Sequence, residues 1–320
     1  MYSIKQYPED FIVNEISEIS VKDNGKYVIC ILRKRNYPTL RAIEHISISL
    51  GIPAKSIGFA GNKDRNAVTE QKISIKGISK SKIKNISLKD ISLEFLGFSD
   101  EPISLGQLEK NKFIITVRSI SNSEMKQLNS FSNNLIPNYF GMQRFSSSNP
   151  VIGKCLVKGM YKEALKIIQK SNSEYASNKG SDIIGAIRSV PERMLKMYVH
   201  SYQSLLWNRT LSRYLKISNE NVAIPIVGFG SELDNGIIGN IIKGILSEEN
   251  LTYRDFIIRQ IPYLSSEGSF REAFVEIEGL KISPEKDKAV IEFSLCKGSY
   301  ATVAIACLFD SLHASLKDFI

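Results

Sequence analysis

The 320-residue chain carries apolar residues in two rhythms, one suited to strands and one to helices. Residues 11–20 (FIVNEISEIS) and 27–33 (YVICILR), rich in Ile and Val, predict two strands joined as a hairpin by the turn Asp23-Asn24-Gly25. Over 38–50 the apolar spacing is near 3.6 and predicts a helix, with Pro38 tolerated at its start and Gly51-Ile52-Pro53 as its stop. A short strand at 56–60, a polar loop from Gly61 to Asn66, and strands at 68–76 (VTEQKISIK) and 112–118 (KFIITVR) follow. A helix is predicted over 123–135, ended by Pro137. The Ser/Asn-rich segment 171–182 reads as a loop, and 191–216 is the longest helical pattern, with Trp207 inside it. The Gly- and Ile-rich stretch 221–246 suits small strands and turns. Residues 273–280 and 288–296 alternate like paired strands, and Gly298-Ser299 precedes a helix from about 301 to 317. There is no internal repeat. This order of elements predicts an α+β protein dominated by antiparallel strands, and the length suits two domains better than one core.

Composition narrows the partners. Hydrophobic residues at 43% and charged residues at 23% describe a folded, water-soluble chain. The formal net charge of +9 favours a polyanion such as RNA, DNA or acidic lipid. Cys30, Cys155, Cys296 and Cys307 form no CxxC pair, and His45, His200 and His313 are scattered, which argues against a structural zinc site and for idle thiols in a reducing cytosol. The first ten residues carry charges in place of a signal-peptide core, and no apolar run reaches the roughly 18 residues of a membrane span.

The most informative stretch is Gly58-Phe59-Ala60-Gly61-Asn62-Lys63-Asp64-Arg65-Asn66-Ala67-Val68-Thr69-Glu70-Gln71. A strand runs into a Gly-permitted turn that presents one carboxylate, Asp64, between Lys63 and Arg65. Neighbouring cations keep a carboxylate ionised and make a loop attractive to phosphate. A bare NKDR tetrapeptide would be an ordinary solvated turn. Three further segments stand out: Lys5-Gln6-Tyr7-Pro8-Glu9-Asp10-Phe11-Ile12-Val13-Asn14-Glu15, Pro137-Asn138-Tyr139-Phe140-Gly141-Met142-Gln143-Arg144-Phe145, and Lys297-Gly298-Ser299-Tyr300-Ala301-Thr302. Each alone has a bland reading: a first strand with a buried Phe, a turn with two core aromatics, and a helix start capped by Ser299.

Together and in this order, the four segments resemble the motifs of the TruD family of tRNA pseudouridine synthases, from residue 5 to about residue 304. The resemblance makes Asp64 the catalytic nucleophile and Lys5 its charge partner. It places Phe11 and Tyr300 beside the substrate, lets Asn138 hydrogen-bond the target uracil with Phe140 against it, and leaves Lys63 and Arg65 to contact RNA. An amide can read a uracil edge and an aromatic ring can stack on a flipped base. The segment His200-Ser201-Tyr202-Gln203-Ser204-Leu205-Leu206-Trp207-Asn208 is also similar to a family helix, and packing is its preferred reading. The chain departs from the pattern at Ser146, at Ala306-Cys307-Leu308-Phe309, and in a shorter connection around Asp23 to Tyr27.

The implied fold is a pseudouridine-synthase core, with a mixed, mainly antiparallel sheet and flanking helices, plus an inserted α+β TRUD domain. The expected division is 1–152 with 285–320 for the core and 153–284 for the insertion. The implied activity is isomerisation of a uridine in tRNA, commonly uridine 13, in the cytoplasm. That chemistry involves no redox change or group donor, so no cofactor is expected, nor an obligatory protein partner. Two rivals differ in class. A non-catalytic RNA-binding or chaperone protein on the same fold would not need the Lys5, Asp64, Asn138 and Phe140 set. An unrelated RNA hydrolase would need a metal cluster or a His-centred site.

Overall fold

The computed structural model describes residues 2–84, 86–146, 148–171, 182–312 and 316. Its elements in chain order begin with β1 (Phe11–Ile16), β2 (Tyr27–Arg35), α1 (Thr39–Leu50), β3 (Ile57–Phe59), β4 (Val68–Lys76), α2 (Lys80–Lys84), β5 (Ile91–Ser99), β6 (Lys110–Val117) and α3 (Asn122–Ser130). They continue with β7 (Leu135–Pro137), α4 (Asn149–Val157), α5 (Tyr161–Ser171), α6 (Ile183–Arg188), α7 (Glu192–Tyr214), β8 (Ala223–Ile226), α8 (Ile237–Glu248), β9 (Ser269–Glu272), β10 (Phe274–Glu276), β11 (Glu278–Glu285), β12 (Lys288–Cys296) and α9 (Ala301–Leu308). The predicted loop at 171–182 and the end of the predicted helix 301–317 fall largely outside the described residues.

The chain divides into two units, Met1–Leu135 with Glu276–Ala301, and Ile136–Val275 with Thr302–Ile320. The lines drawn from sequence at 152/153 and 284/285 fall elsewhere. The first cuts through α4, and the second clips β11, which stays paired with β12 as far as Glu285↔Lys288.

The first unit holds the large sheet, in the order β11-β12-β6-β1-β4-β2-β5, with β3 also on β4. β2 takes one edge of β4 over its full length, from Tyr27↔Lys76 to Arg35↔Val68. The other edge is shared: β1 pairs parallel at Ile12↔Val68 to Asn14↔Glu70, and β3 antiparallel at Ile57↔Ile75 to Phe59↔Ile73. The expected β1–β2 hairpin does not form, because β4 lies between the two strands. Asp23-Asn24-Gly25 instead belongs to a longer excursion pinned to β5, where Lys22 and Phe98 exchange backbone hydrogen bonds at 2.8 and 2.9 Å. Period-two alternation puts Val28, Cys30 and Leu32 of β2 on one face, where they share a core with Ala42, Ile43, Ile46 and Leu50 of α1. Pro38 stands just before α1 in an extended conformation, and Gly51 ends the helix in the left-handed region at φ 66. Burial pushes the Cys30 thiol up to about 12, consistent with an inert core cysteine.

The second unit is mainly helical. Leu156, Ile187, Leu206 and Ile245 of α4, α6, α7 and α8 share its core with Phe256 of the 3-10 turn Tyr253–Phe256. Helix α8 occupies part of the stretch expected to form strands and turns. Its Ile238, Ile241, Ile242 and Ile245 recur at helical spacing and pack into that core, outweighing the poor helix propensity of its glycines. The helix expected over 123–135 stops at Ser130 (α3), and Leu135–Pro137 form β7, paired with β10. The run 273–280 is also broken: β10 ends at Glu276, and the partner of β12 is β11.

Candidate active site

Parallel pairing of β1 with β4 brings the N-terminal ends of both strands side by side. The residues before β1 are Lys5 to Asp10, and those before β4 are Gly61 to Ala67, so two segments remote in sequence meet at one sheet end. The N-terminal segment is docked by Ser3, which exchanges backbone hydrogen bonds with Arg118 at 2.8 and 2.9 Å. Asp10 closes a 3-10 turn over Pro8–Asp10 by accepting from the Tyr7 N–H at 3.1 Å, and takes a fork of hydrogen bonds from Arg118 at 2.8 to 3.1 Å. Lys5 sits at φ 59, a left-handed conformation unusual for a residue with a side chain. From there its ammonium reaches Asp64, Nζ to Oδ2 at 3.0 Å across 59 residues of sequence. The pair is partly open to solvent, with side-chain exposures of 22% and 28%. The same ammonium lies 3.9 Å from the centre of the Phe11 ring. Phe11 itself is 1% exposed and packs edge-on against Phe113, so it supports Lys5 from beneath.

The loop carrying Asp64 is held from several sides. The Gln71 amide donates to the Gly61 carbonyl at 3.0 Å, and Thr39 donates to Gln71 Oε1 at 3.1 Å. Thr39 Oγ1 also accepts the Lys63 N–H at 2.9 Å. Lys63, expected to contact RNA, turns inward: its ammonium pairs with Glu15 of β1 at 2.6 Å, with side-chain exposures of 4% and 0%. Its chain position between Asn62 and Asp64 gives no hint of this, because the partner comes from another motif. Arg65 is exposed, and its guanidinium makes no hydrogen bond or ion pair with a described residue. The glycines of the motif serve differently from expectation. Gly61 is not left-handed, and a Cβ there would meet only ordinary contacts, the nearest at 3.5 Å. Gly58 is the constrained one, since a Cβ would lie 2.3 Å from the Ile103 carbonyl oxygen. Tyr300, which precedes α9 in the chain, is half-buried.

Sequence reasoning missed Lys34. It continues the alternation of Val28, Cys30 and Leu32, so it lies on the face covered by α1 and is 2% exposed. Its ammonium donates to the carbonyls of Tyr37 at 2.5 Å and Asp64 at 2.9 Å. Burial depresses its pKa to about 8, with the Asp64 charge acting in the opposite direction and Lys63 adding to the depression. The signal was the alternation itself, carried one step past Arg33.

In the second unit, Asn138 is 6% exposed. Its Oδ1 accepts from Arg271 of β9 at 2.5 Å, and its Nδ2 donates to the Glu272 carbonyl at 3.1 Å. The Arg271 guanidinium lies 4.3 Å from the centre of the Phe140 ring, which also meets Trp207 edge-on at 5.5 Å. Asn208 of α7 grips the Phe140 peptide at both ends, accepting from its N–H at 2.9 Å and donating to its carbonyl at 3.0 Å. The helix read as packing therefore also fixes the backbone of Phe140.

A partly exposed carboxylate paired with an ammonium thus stands at the end of a mixed sheet. The family model for tRNA pseudouridine synthase D (TruD) matches residues 2–179, 169–221 and 216–306. A tRNA pseudouridine synthase D from Aquifex aeolicus is 31% identical, covering 96% of this chain and 98% of its own. A relative from Methanosarcina mazei is 30% identical over 94% of this chain and 92% of its own. A crystal structure of a tRNA pseudouridine synthase D from Methanosarcina mazei superposes with a TM-score of 0.73 at 28% identity, covering 96% of this chain and 93% of its own. The chain belongs to the TruD family of tRNA pseudouridine synthases, and is thus an isomerase on the α+β fold that the motifs implied. No helix among the described residues is long and apolar enough to cross a membrane.

Proposed function

We infer that this chain converts a uridine of tRNA, by family resemblance uridine 13, to pseudouridine, with Asp64 as the nucleophile. The observation that carries the reading is the Lys5–Asp64 pair at 3.0 Å, which joins the two N-terminal motifs around one solvent-reachable carboxylate. Breaking the N-glycosidic bond, turning the uracil and joining C5 to C1′ suits a carboxylate, which can attack an electrophilic carbon of the base or the sugar, or deprotonate the sugar, and later be released unchanged. The proton lost from C5 is matched by one gained at N1, so the change is a pure isomerisation. Lys5 holds the carboxylate in a charge-assisted hydrogen bond where RNA would exclude water. Phe11 and Lys63 serve the same carboxylate from behind, the first under Lys5 and the second through Glu15. Asn138 and Phe140 are the base-side residues, Tyr300 a substrate-side aromatic, and Arg65 the phosphate contact. In domain terms, the first unit is the catalytic core and the second corresponds to the inserted domain.

The test is Asp64→Asn, which keeps shape and hydrogen bonding and removes the charge. Mapping pseudouridine in tRNA after incubation with the purified variant is expected to show none, with tRNA binding retained. Product formed at the wild-type rate would sink the assignment.

A further inference from the structure

Asn138 is gripped by three consecutive residues, Arg271 and Glu272 of β9 and Ala273 just beyond it. Its N–H donates to the Ala273 carbonyl at 2.8 Å, and its own carbonyl accepts from Arg271 Nε at 2.9 Å. Holding the chain at Asn138 takes only these two main-chain bonds. Two more act on the side-chain amide: Oδ1 accepts from Arg271 Nη2 at 2.5 Å, and Nδ2 donates to the Glu272 carbonyl at 3.1 Å. A guanidinium can only donate and a peptide carbonyl can only accept, so these bonds decide which end of the amide is which. Turned end for end, the amide would set its NH2 against the guanidinium and its oxygen against the carbonyl. Arg271 is itself seated by packing. Its guanidinium lies 4.3 Å from the centre of the Phe140 ring and 5.4 Å from that of Trp207. Trp207 Nε1 in turn donates at 3.2 Å to the carbonyl of Ile224, the residue of β8 that pairs with Arg271.

We propose that Arg271 is a positioning residue that sets selection of uracil over cytosine: it holds the Asn138 amide with its acceptor and donor ends in the order that the uracil edge requires. The edge of uracil offers a donor at N3 beside an acceptor at O4. Cytosine reverses the order, with an acceptor at N3 beside a donor at N4. An amide that turns end for end serves both bases, and an amide held one way serves one. The proposal rests on Asn138 reading the base. Arg271 acts through Asn138 and needs no contact of its own with the uracil.

The experiment compares the affinity of the full chain for two transcripts of one tRNA, with uridine or with cytidine at the position where mapping finds pseudouridine. It is run in the Asp64→Asn background, so that the uridine is not consumed. With Arg271 present, the cytidine transcript is expected to bind at least about tenfold more weakly, because the held amide leaves its partners unmatched. Arg271→Gln can turn its own amide to suit either order, so it is expected to shrink that ratio at least about fivefold, the Glu272 carbonyl keeping the rest. Arg271→Lys offers donors only and is expected to keep the ratio within about twofold. A brace that merely holds β9 to Asn138 would weaken both transcripts together and leave the ratio unmoved. The proposal is overturned by a ratio near one with Arg271 present, by an undiminished ratio in Arg271→Gln, or by its loss in Arg271→Lys; the first and last of these do not depend on the Gln variant folding. Asn138→Ala separates the two readings: a ratio that survives it means that Asn138 does not read the base, whereas a ratio lost there and kept in Arg271→Gln removes only the role of Arg271.

Discussion

The inward turn of Lys63 leads to a quantitative expectation. Its ammonium and the Glu15 carboxylate are 2.6 Å apart, with side-chain exposures of 4% and 0%. Removing one partner of such a pair strands the other charge in the interior, at a cost of about 3–5 kcal/mol. Glu15→Gln is therefore expected to lower the melting temperature by about 6–20 °C, at about 2–4 °C per kcal/mol for a unit of this size. Glu94→Gln is the control: its partner Arg33 sits 2.6 Å away, but exposures of 46% and 51% keep that bond within about 1 kcal/mol. The double variant Glu15→Leu with Lys63→Met should recover most of the loss, because no charge is then left buried. Thermal unfolding followed by circular dichroism measures all of these. A Glu15→Gln shift no larger than the control, together with a Lys63→Met variant whose tRNA affinity depends less steeply on salt by about one unit, would refute the reasoning and return Lys63 to the RNA contacts.

Arg65→Ala should flatten the salt dependence of tRNA affinity by about one unit without loss of stability, since its side chain is exposed and unbonded to described residues; an unchanged slope removes it from the phosphate contacts. Asn208→Ala removes both hydrogen bonds to the Phe140 peptide and should cost about 1–3 kcal/mol in denaturant unfolding, with turnover falling in parallel; a loss below about 0.5 kcal/mol would show that the clamp is dispensable. Lys34 should also mark the pH dependence of stability. Its folded pKa of about 8 lies below the ordinary 10.5, so between these values the unfolded chain binds a proton that the folded chain does not. Wild type should therefore gain stability relative to Lys34→Met as pH rises through that window, by about 1.4 kcal/mol per unit, and a flat difference in urea unfolding would contradict the burial argument.

Local signals were legible where the chemistry is local. β4 spans Val68–Lys76 as its alternation indicates, and α1 lies between Pro38 and a left-handed Gly51. What alternation does not show is which strand lies next to which. The Asp23-Asn24-Gly25 turn argued for a hairpin, yet β1 finds its partner in β4, far along the chain, because pairing is decided by burial of whole faces. Helix α8 was hidden by Gly236, Gly239 and Gly244, which read as turn signals until the spacing of its Ile residues is set against a core. At the site, the meeting of Lys5 with Asp64 was implied by family resemblance and by nothing in their spacing. The Glu15–Lys63 pair was within reach, since both residues stand in motifs, but neither motif says which way a lysine points. Lys34 stayed out of view because a lysine closing an apolar strand reads as the strand's end.

The layout of the sheet also separates where the chain reacts from where it can change length. Tyr27 pairs with Lys76, the end of β4 opposite Val68, so the 17–26 connection leaves the sheet midway along β4, after Ile16, and re-enters it about 26 Å from the Asp64 end, at about 3.3 Å per strand residue. Asp23 and Asn24 at the tip of this connection are exposed. Lys22, bonded to Phe98, anchors its near side, so added residues beyond Lys22 would loop into solvent without shifting any strand register. Doubling such a loop costs only about 0.6 kcal/mol in closure entropy. The tip between Asp23 and Asn24 is therefore a graft point, where an affinity tag, a fluorophore or a second RNA-binding module can be spliced in while the Lys5–Asp64 end of the sheet keeps its geometry.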